Sequence, residues 1–138
     1  MMNNRNSEER KFRRQQRISE TLRRELYEIT LREVKDPRLL NSFTITEIDL
    51  KPDLKSATVY VSRFKGEGIE GADFEPTEAE QKELLEGLRS ASHFIYERLK
   101  RRLQIKVVPT VRFEYDFRMA QAANVWNLTN KLKQEREG

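Results

Sequence analysis

Arginine is the residue whose placement in this 138-residue chain most invites a chemical reading. If residues 9–34 form a helix, Arg10, Arg13, Arg14, Arg17 and Arg24 fall on one arc of roughly 100°, counting about 100° per residue. No lysine or acid lies among them. A guanidinium presents paired donors that match phosphate oxygens, so such a face suits a polyanion. A solvated helix surface is the plainer reading of the same residues. A second group, Arg98, Lys100, Arg101, Arg102 and Lys106, follows Glu97 without an intervening acid. It reads either as a phosphate grip or as cations complementing the end of a helix. Four carboxylates, Glu47, Asp49, Glu114 and Asp116, sit on expected strands or strand ends. A metal-dependent nuclease would need such acids to converge.

Composition narrows the chemistry. Cysteine is absent and His93 is the sole histidine, which removes disulfides, thiol nucleophiles and Cys- or His-cluster metal sites. No metal and no cofactor is expected. Hydrophobic residues make up 36% and charged residues 36%, so one modest core under a heavily charged surface is expected. That surface points to a monomer. No apolar run reaches the roughly 20 residues of a membrane span, and Glu8 and Glu9 argue against a transit peptide. A cytoplasmic protein that does not contact a membrane is expected. The net charge of +4 hides an asymmetry: residues 1–24 are arginine-rich, whereas residues 67–86 hold eight acids against Lys82 alone. The fields of two such regions would orient a polyanionic partner.

The elements that must position these groups follow from periodicity. Residues 1–8 are polar and read as a disordered tail, and a helix runs from about Glu9 to Val34 with Ile18, Leu22, Leu26 and Ile29 on its buried stripe. Asp36-Pro37 ends it, because the residue before proline is pushed out of the helical region. Phe43–Leu50 reads as a strand whose alternation slips between Ile45 and Ile48, which predicts a bulge. Lys51–Lys55 is turn chemistry, and Ser56–Phe64 pairs back as the second arm of an antiparallel hairpin. Residues 65–76 are glycine-rich, acidic and loop-like, with no phosphate-cradling glycine motif. Thr77–Glu80 is a capping box that opens the next helix.

That helix and its successor share one stripe, Leu84, Leu88, Ala91, Ile95, Leu99 and Leu103. Ser90, Ala91, Ser92 and His93 interrupt it with short polar groups that compete for the backbone and bend the run. Pro109 ends the connection, and Val111, Phe113 and Tyr115 alternate with Arg112, Glu114 and Asp116 as a third strand. Residues 118–138 read as a tail with a short helix near Ala120–Thr129, in which Trp126 either docks on the body or meets a partner. The body, 9–117, is then a single α+β domain in the order helix-strand-strand-helix-kink-helix-strand.

Taken in order, these pieces resemble ribosome-binding factor A, a bacterial factor of small-subunit maturation. The resemblance rests on Ile18-x3-Leu22-x3-Leu26, Asp36-Pro37-Arg38-Leu39, the run Thr44–Ser62, Ala91-Ser92-His93-Phe94-Ile95, and Val108-Pro109-x3-Phe113-x-Tyr115-Asp116. It implies a type II KH-like domain, a three-stranded sheet with helices packed on one face. An Ala-x-Gly kink between two helices then replaces the usual GxxG loop. It also implies binding to immature 30S subunits through 16S rRNA, help with rRNA processing, and a role in cold adaptation. His93 stands where the family usually has glycine, which puts a side chain at the kink. Tyr96 replaces an arginine common just after it. Two other readings remain open beside the RNA-binding one. The acidic 67–86 region would serve a protein-interaction module docking on a ribosomal protein or processing partner, and the strand carboxylates would serve a nuclease.

Overall fold

The computed structural model describes residues 4–39, 43–63 and 77–118. The stripe Ile18, Leu22, Leu26 and Ile29 is buried along one helix, α1 (Asn4–Arg32). This helix starts at Asn4, not near Glu9, so residues 4–8 of the expected tail are helical. No glycine, proline or β-branched residue interrupts residues 4–17, and Glu9 meets Arg13 one turn on at 3.8 Å. A 3-10 turn follows at Pro37–Leu39. Asp36 shapes it by accepting the Arg38 backbone N–H at 2.9 Å and the Arg38 guanidinium at 2.7 Å.

β1 (Phe43–Leu50) and β2 (Ser56–Arg63) pair antiparallel, and β3 (Thr110–Tyr115) lies parallel to β2, giving the order β1-β2-β3. The register slips between Ile45 and Glu47, and this bulge keeps Ile45, Ile48 and Leu50 opposite Val61, Val59 and Ala57. The apolar set thereby stays on one face, together with Phe113 and Tyr115. Among the described residues, the helices pack on that face. Leu54 closes the hairpin turn at φ 63°, with Asp53 accepting the Lys55 N–H at 3.0 Å.

α2 (Glu78–Ser90) opens with the expected capping box: the Glu80 N–H donates to Thr77 Oγ1 at 3.2 Å. α3 (Ser92–Arg102) follows after one residue, Ala91, at φ −89° and ψ 0°. Ser92 Oγ donates back to the Leu88 carbonyl at 3.1 Å, as the competing hydroxyl predicts. Ala91 and the helical His93 both lie outside the positive-φ region, so the bend needs no glycine. His93 is an exposed residue of the first turn of α3. Leu84, Leu88, Ile95, Leu99 and Leu103 join the strand residues in one core. Gly87 does require smallness: a Cβ there would lie 3.1 Å from Leu39 Cδ2 and 3.2 Å from Arg38 Cβ.

The edge of β1 is closed by α1. Tyr27 Oη accepts the Ile45 N–H, Arg23 donates to the Ile45 carbonyl, and Gln15 donates to the Leu50 carbonyl. Three polar side chains thus satisfy backbone groups that would otherwise template a further strand. The expected loop at 65–76 and the tail helix with Trp126 lie outside the described residues.

Candidate nucleic-acid interface

Two stretches of cationic surface follow from this packing. Along α1, Arg10, Arg13, Arg14 and Arg17 line a shallow cleft of ≈ 260 Å³. All four side chains are exposed. Only Arg13 has an ion pair among the described residues, the loose one to Glu9. Further along, Arg17 and Arg24 border a deeper groove of ≈ 310 Å³ whose other wall is Arg102, Leu103, Gln104 and Ile105 at the end of α3. The first-helix arc and the second basic group therefore meet, at Arg17, Arg24 and Arg102.

The meeting is not made by the whole group. Counting about 100° per residue, Lys100 lies roughly 160° around α3 from Arg102, on the opposite flank. There its ammonium sits 5.3 Å from the Tyr96 ring centroid and 3.1 Å from Glu97. Arg101 and Lys106 are exposed and form no ion pair among the described residues. Arg98 stacks over Phe94 at 4.9 Å and approaches Glu33 at 3.9 Å.

Arg102 is committed to α1. Its Nη1 meets Glu25 and its Nη2 meets Glu33, each at 3.0 Å. The Glu33 carboxylate, and after it Glu25, holds this guanidinium above its ordinary pKa. Arg102 is therefore a clasp between α1 and α3 more than a free cation. Sequence reasoning missed this role, along with Glu25 and Glu33. The available signal was that Glu25 borders the arginine arc on the side nearest the apolar stripe.

The kink residues lie apart from this groove. Ser90 and His93 are exposed, and Ala91 and Ser92 are half-buried between α2 and α3. The strand carboxylates are each held by cations. Glu47 meets Arg118 at 3.0 Å, Asp49 meets Lys51 at 2.9 Å, and Glu114 meets Arg112 at 2.7 Å. Asp116 accepts from Arg118 and from Thr46. Among the described residues no three histidine, aspartate or glutamate side chains gather as a metal site would require. In α2, Glu78, Glu83 and Glu86 are exposed, while residues 67–76 of the acidic region lie outside the described residues.

The sequence model of the ribosome-binding factor A family matches residues 14–129. A ribosome-binding factor A from Acetivibrio thermocellus is 37% identical over 123 residues, covering 89% of this chain and 91% of the relative. A solution NMR structure of a putative ribosome-binding factor A from Thermotoga maritima superposes with a TM-score of 0.57 at 29% identity, covering 73% of this chain and 85% of that one. A homology model of the Thermus thermophilus ribosome-binding factor A, fitted into a cryo-EM map of its complex with the 30S, gives a TM-score of 0.50 at 27% identity, covering 72% of this chain and 92% of that one. The α+β fold is accordingly KH-like. On its sequence match across most of its length, the chain belongs to the ribosome-binding factor A family.

Proposed function

We propose that this chain is a non-catalytic assembly factor that binds 16S rRNA on immature 30S subunits and assists rRNA processing and small-subunit maturation. The observation that carries this reading is the exposed arginine strip of α1, Arg10, Arg13, Arg14, Arg17 and Arg24, which runs into the groove at Arg102. Phosphates fit such a strip because guanidinium groups hold them bidentately and without bond chemistry. The complex of the Thermus relative with the 30S points the same way. Arg101 and Lys106 extend the grip beyond the groove, whereas Arg98 and Arg102 chiefly hold the two helices together. Binding energy then keeps the rRNA in an immature arrangement, which needs no cofactor. The protein acts as a cytoplasmic monomer, and its absence is expected to be felt most in the cold.

The test is co-sedimentation of the purified protein with precursor 30S particles. Replacing Arg13, Arg14 and Arg17 together by glutamate should abolish co-sedimentation; unchanged co-sedimentation removes the α1 face from the mechanism. Association that survives complete nuclease digestion would instead favour docking on a protein partner through the exposed acids of α2.

A further inference from the structure

We propose that the groove between α1 and the end of α3 is a subsite for one unstacked guanine base, an inference that rests on the RNA-binding reading above. Its floor is apolar: Ile18 and Leu103 are buried and Ile105 is half-buried. Such a floor suits the face of a planar base and offers nothing to a phosphate. Thr21 and Gln104 add a hydroxyl and a carboxamide to the lining.

Glu25 is the decisive residue. A carboxylate placed between Arg17, Arg24 and Arg102 weakens the local attraction for a bare phosphate. It becomes useful if a base presents donors to it. Its Oε2 is held by Arg102 Nη1 at 3.0 Å, whereas its Oε1 lies 4.0 Å from Arg24 Nε, beyond hydrogen-bond length. That oxygen, together with the Oε2 lone pair that Arg102 does not take, is left to accept two donors from a ligand. Among the four RNA bases only guanine offers two adjacent donors, N1–H and N2–H, on one edge. Adenine and cytosine pair an amine with an acceptor nitrogen, and uracil flanks its single N–H with two carbonyl oxygens. Guanine O6 is then free to accept from Gln104 or Thr21.

The flanking phosphates have their own partners. Arg17 and Arg24 are seven residues apart in α1, about 10 Å along the axis at 1.5 Å per residue. They bracket the groove. Arg102, fixed by Glu25 and Glu33, acts as a positioning residue that aims the Glu25 carboxylate into the groove.

The experiment is fluorescence anisotropy of the full chain with short single-stranded oligouridines carrying one central guanosine, inosine, adenosine or uridine. Guanosine should bind on the order of tenfold tighter than uridine, as a good paired contact to a base edge provides. Inosine, which lacks the N2 amine, should lose most of that gain. In Glu25→Gln the guanosine preference should disappear while affinity for the all-uridine strand is unchanged or higher. Gln104→Ala, which leaves the clasp intact, should reduce the preference severalfold. Equal affinity for all four strands overturns the guanine subsite and leaves the arginine-strip reading standing. Binding to none of them overturns both.

Discussion

Replacing Asp116 by asparagine tests the electrostatic side of the fold. Asp116 is only 5% exposed at the end of β3. Its carboxylate accepts the Thr46 hydroxyl from the β1 bulge, the Arg118 backbone N–H at 2.9 Å and the Arg118 guanidinium at 2.8 and 3.0 Å. The Arg118 side chain is largely exposed, so the charge attraction of its ion pair is screened. The hydrogen bonds it donates, with those from Thr46 and the Arg118 backbone, matter more. Turning one acceptor oxygen into a donor sets it against an Arg118 N–H whichever way the amide lies, at a cost of about 2 kcal/mol. For a domain of this size that lowers Tm by on the order of 8 °C.

The pH dependence carries the sharper test. Hydrogen bonds from Arg118, and then from Thr46, hold the Asp116 carboxyl well below its usual value of 3.8. A group depressed in the folded state contributes fully above its unfolded pKa and loses that contribution as pH falls towards its folded value. At pH 3 the unfolded chain already takes up the proton, and the wild type forfeits about 1 kcal/mol of this term relative to pH 7. Urea unfolding of wild type and Asp116→Asn should therefore give a stability gap near 2 kcal/mol at pH 7 that narrows by about half at pH 3. Other carboxylates cancel in the difference. A gap that stays constant between these pH values would refute the assignment of the shift to Asp116.

Three further substitutions probe the packing that sets the groove. Leu99→Ala removes a fully buried side chain from the face of α3 that meets the core, and should cost about 2–5 kcal/mol by urea unfolding. Gly87→Val pushes a branched side chain against Leu39 and Arg38, and should cost about 1–3 kcal/mol and shift the amide resonances of Arg38 and Leu39. Tyr27→Phe leaves the outward Ile45 N–H without its acceptor, and should cost about 1 kcal/mol and speed hydrogen exchange at Ile45.

How far the sequence spoke for itself varied with the range of the interaction. The slip between Ile45 and Ile48 reads directly as a bulge, because a period-two strand that must keep one face buried has no other way to absorb an extra residue. The capping box at Thr77 and Glu80 is equally local. The bend at Ala91 was legible from Ser90 and Ser92. Its tolerance of His93 was not, since that depends on a backbone angle no residue type announces. The start of α1 at Asn4 was hidden because a polar stretch without periodicity reads as a tail when only apolar spacing is weighed. The parallel placement of β3 beside β2, the fit of Gly87 under Leu39, and the Arg102 clasp all join residues far apart in the chain. No local pattern encodes them. The opposite flank of Lys100 is a different matter: applying the helical angle to the second basic group, as to the arginines of the first helix, separates Lys100 from Arg98 and Arg102.

The strip of arginines on α1 is the heart of the functional account, and its salt response is the most direct measurement. If Arg10, Arg14, Arg17, Arg24 and Arg101 each neutralise one phosphate, the logarithm of the association constant with a single-stranded 16S rRNA segment should fall against log salt with a slope of roughly −3.5. In the triple variant Arg10→Ala, Arg14→Ala, Arg17→Ala the slope should flatten to roughly −1.4. An identical slope for the two proteins, or a response flat in both, would contradict a phosphate grip on this face.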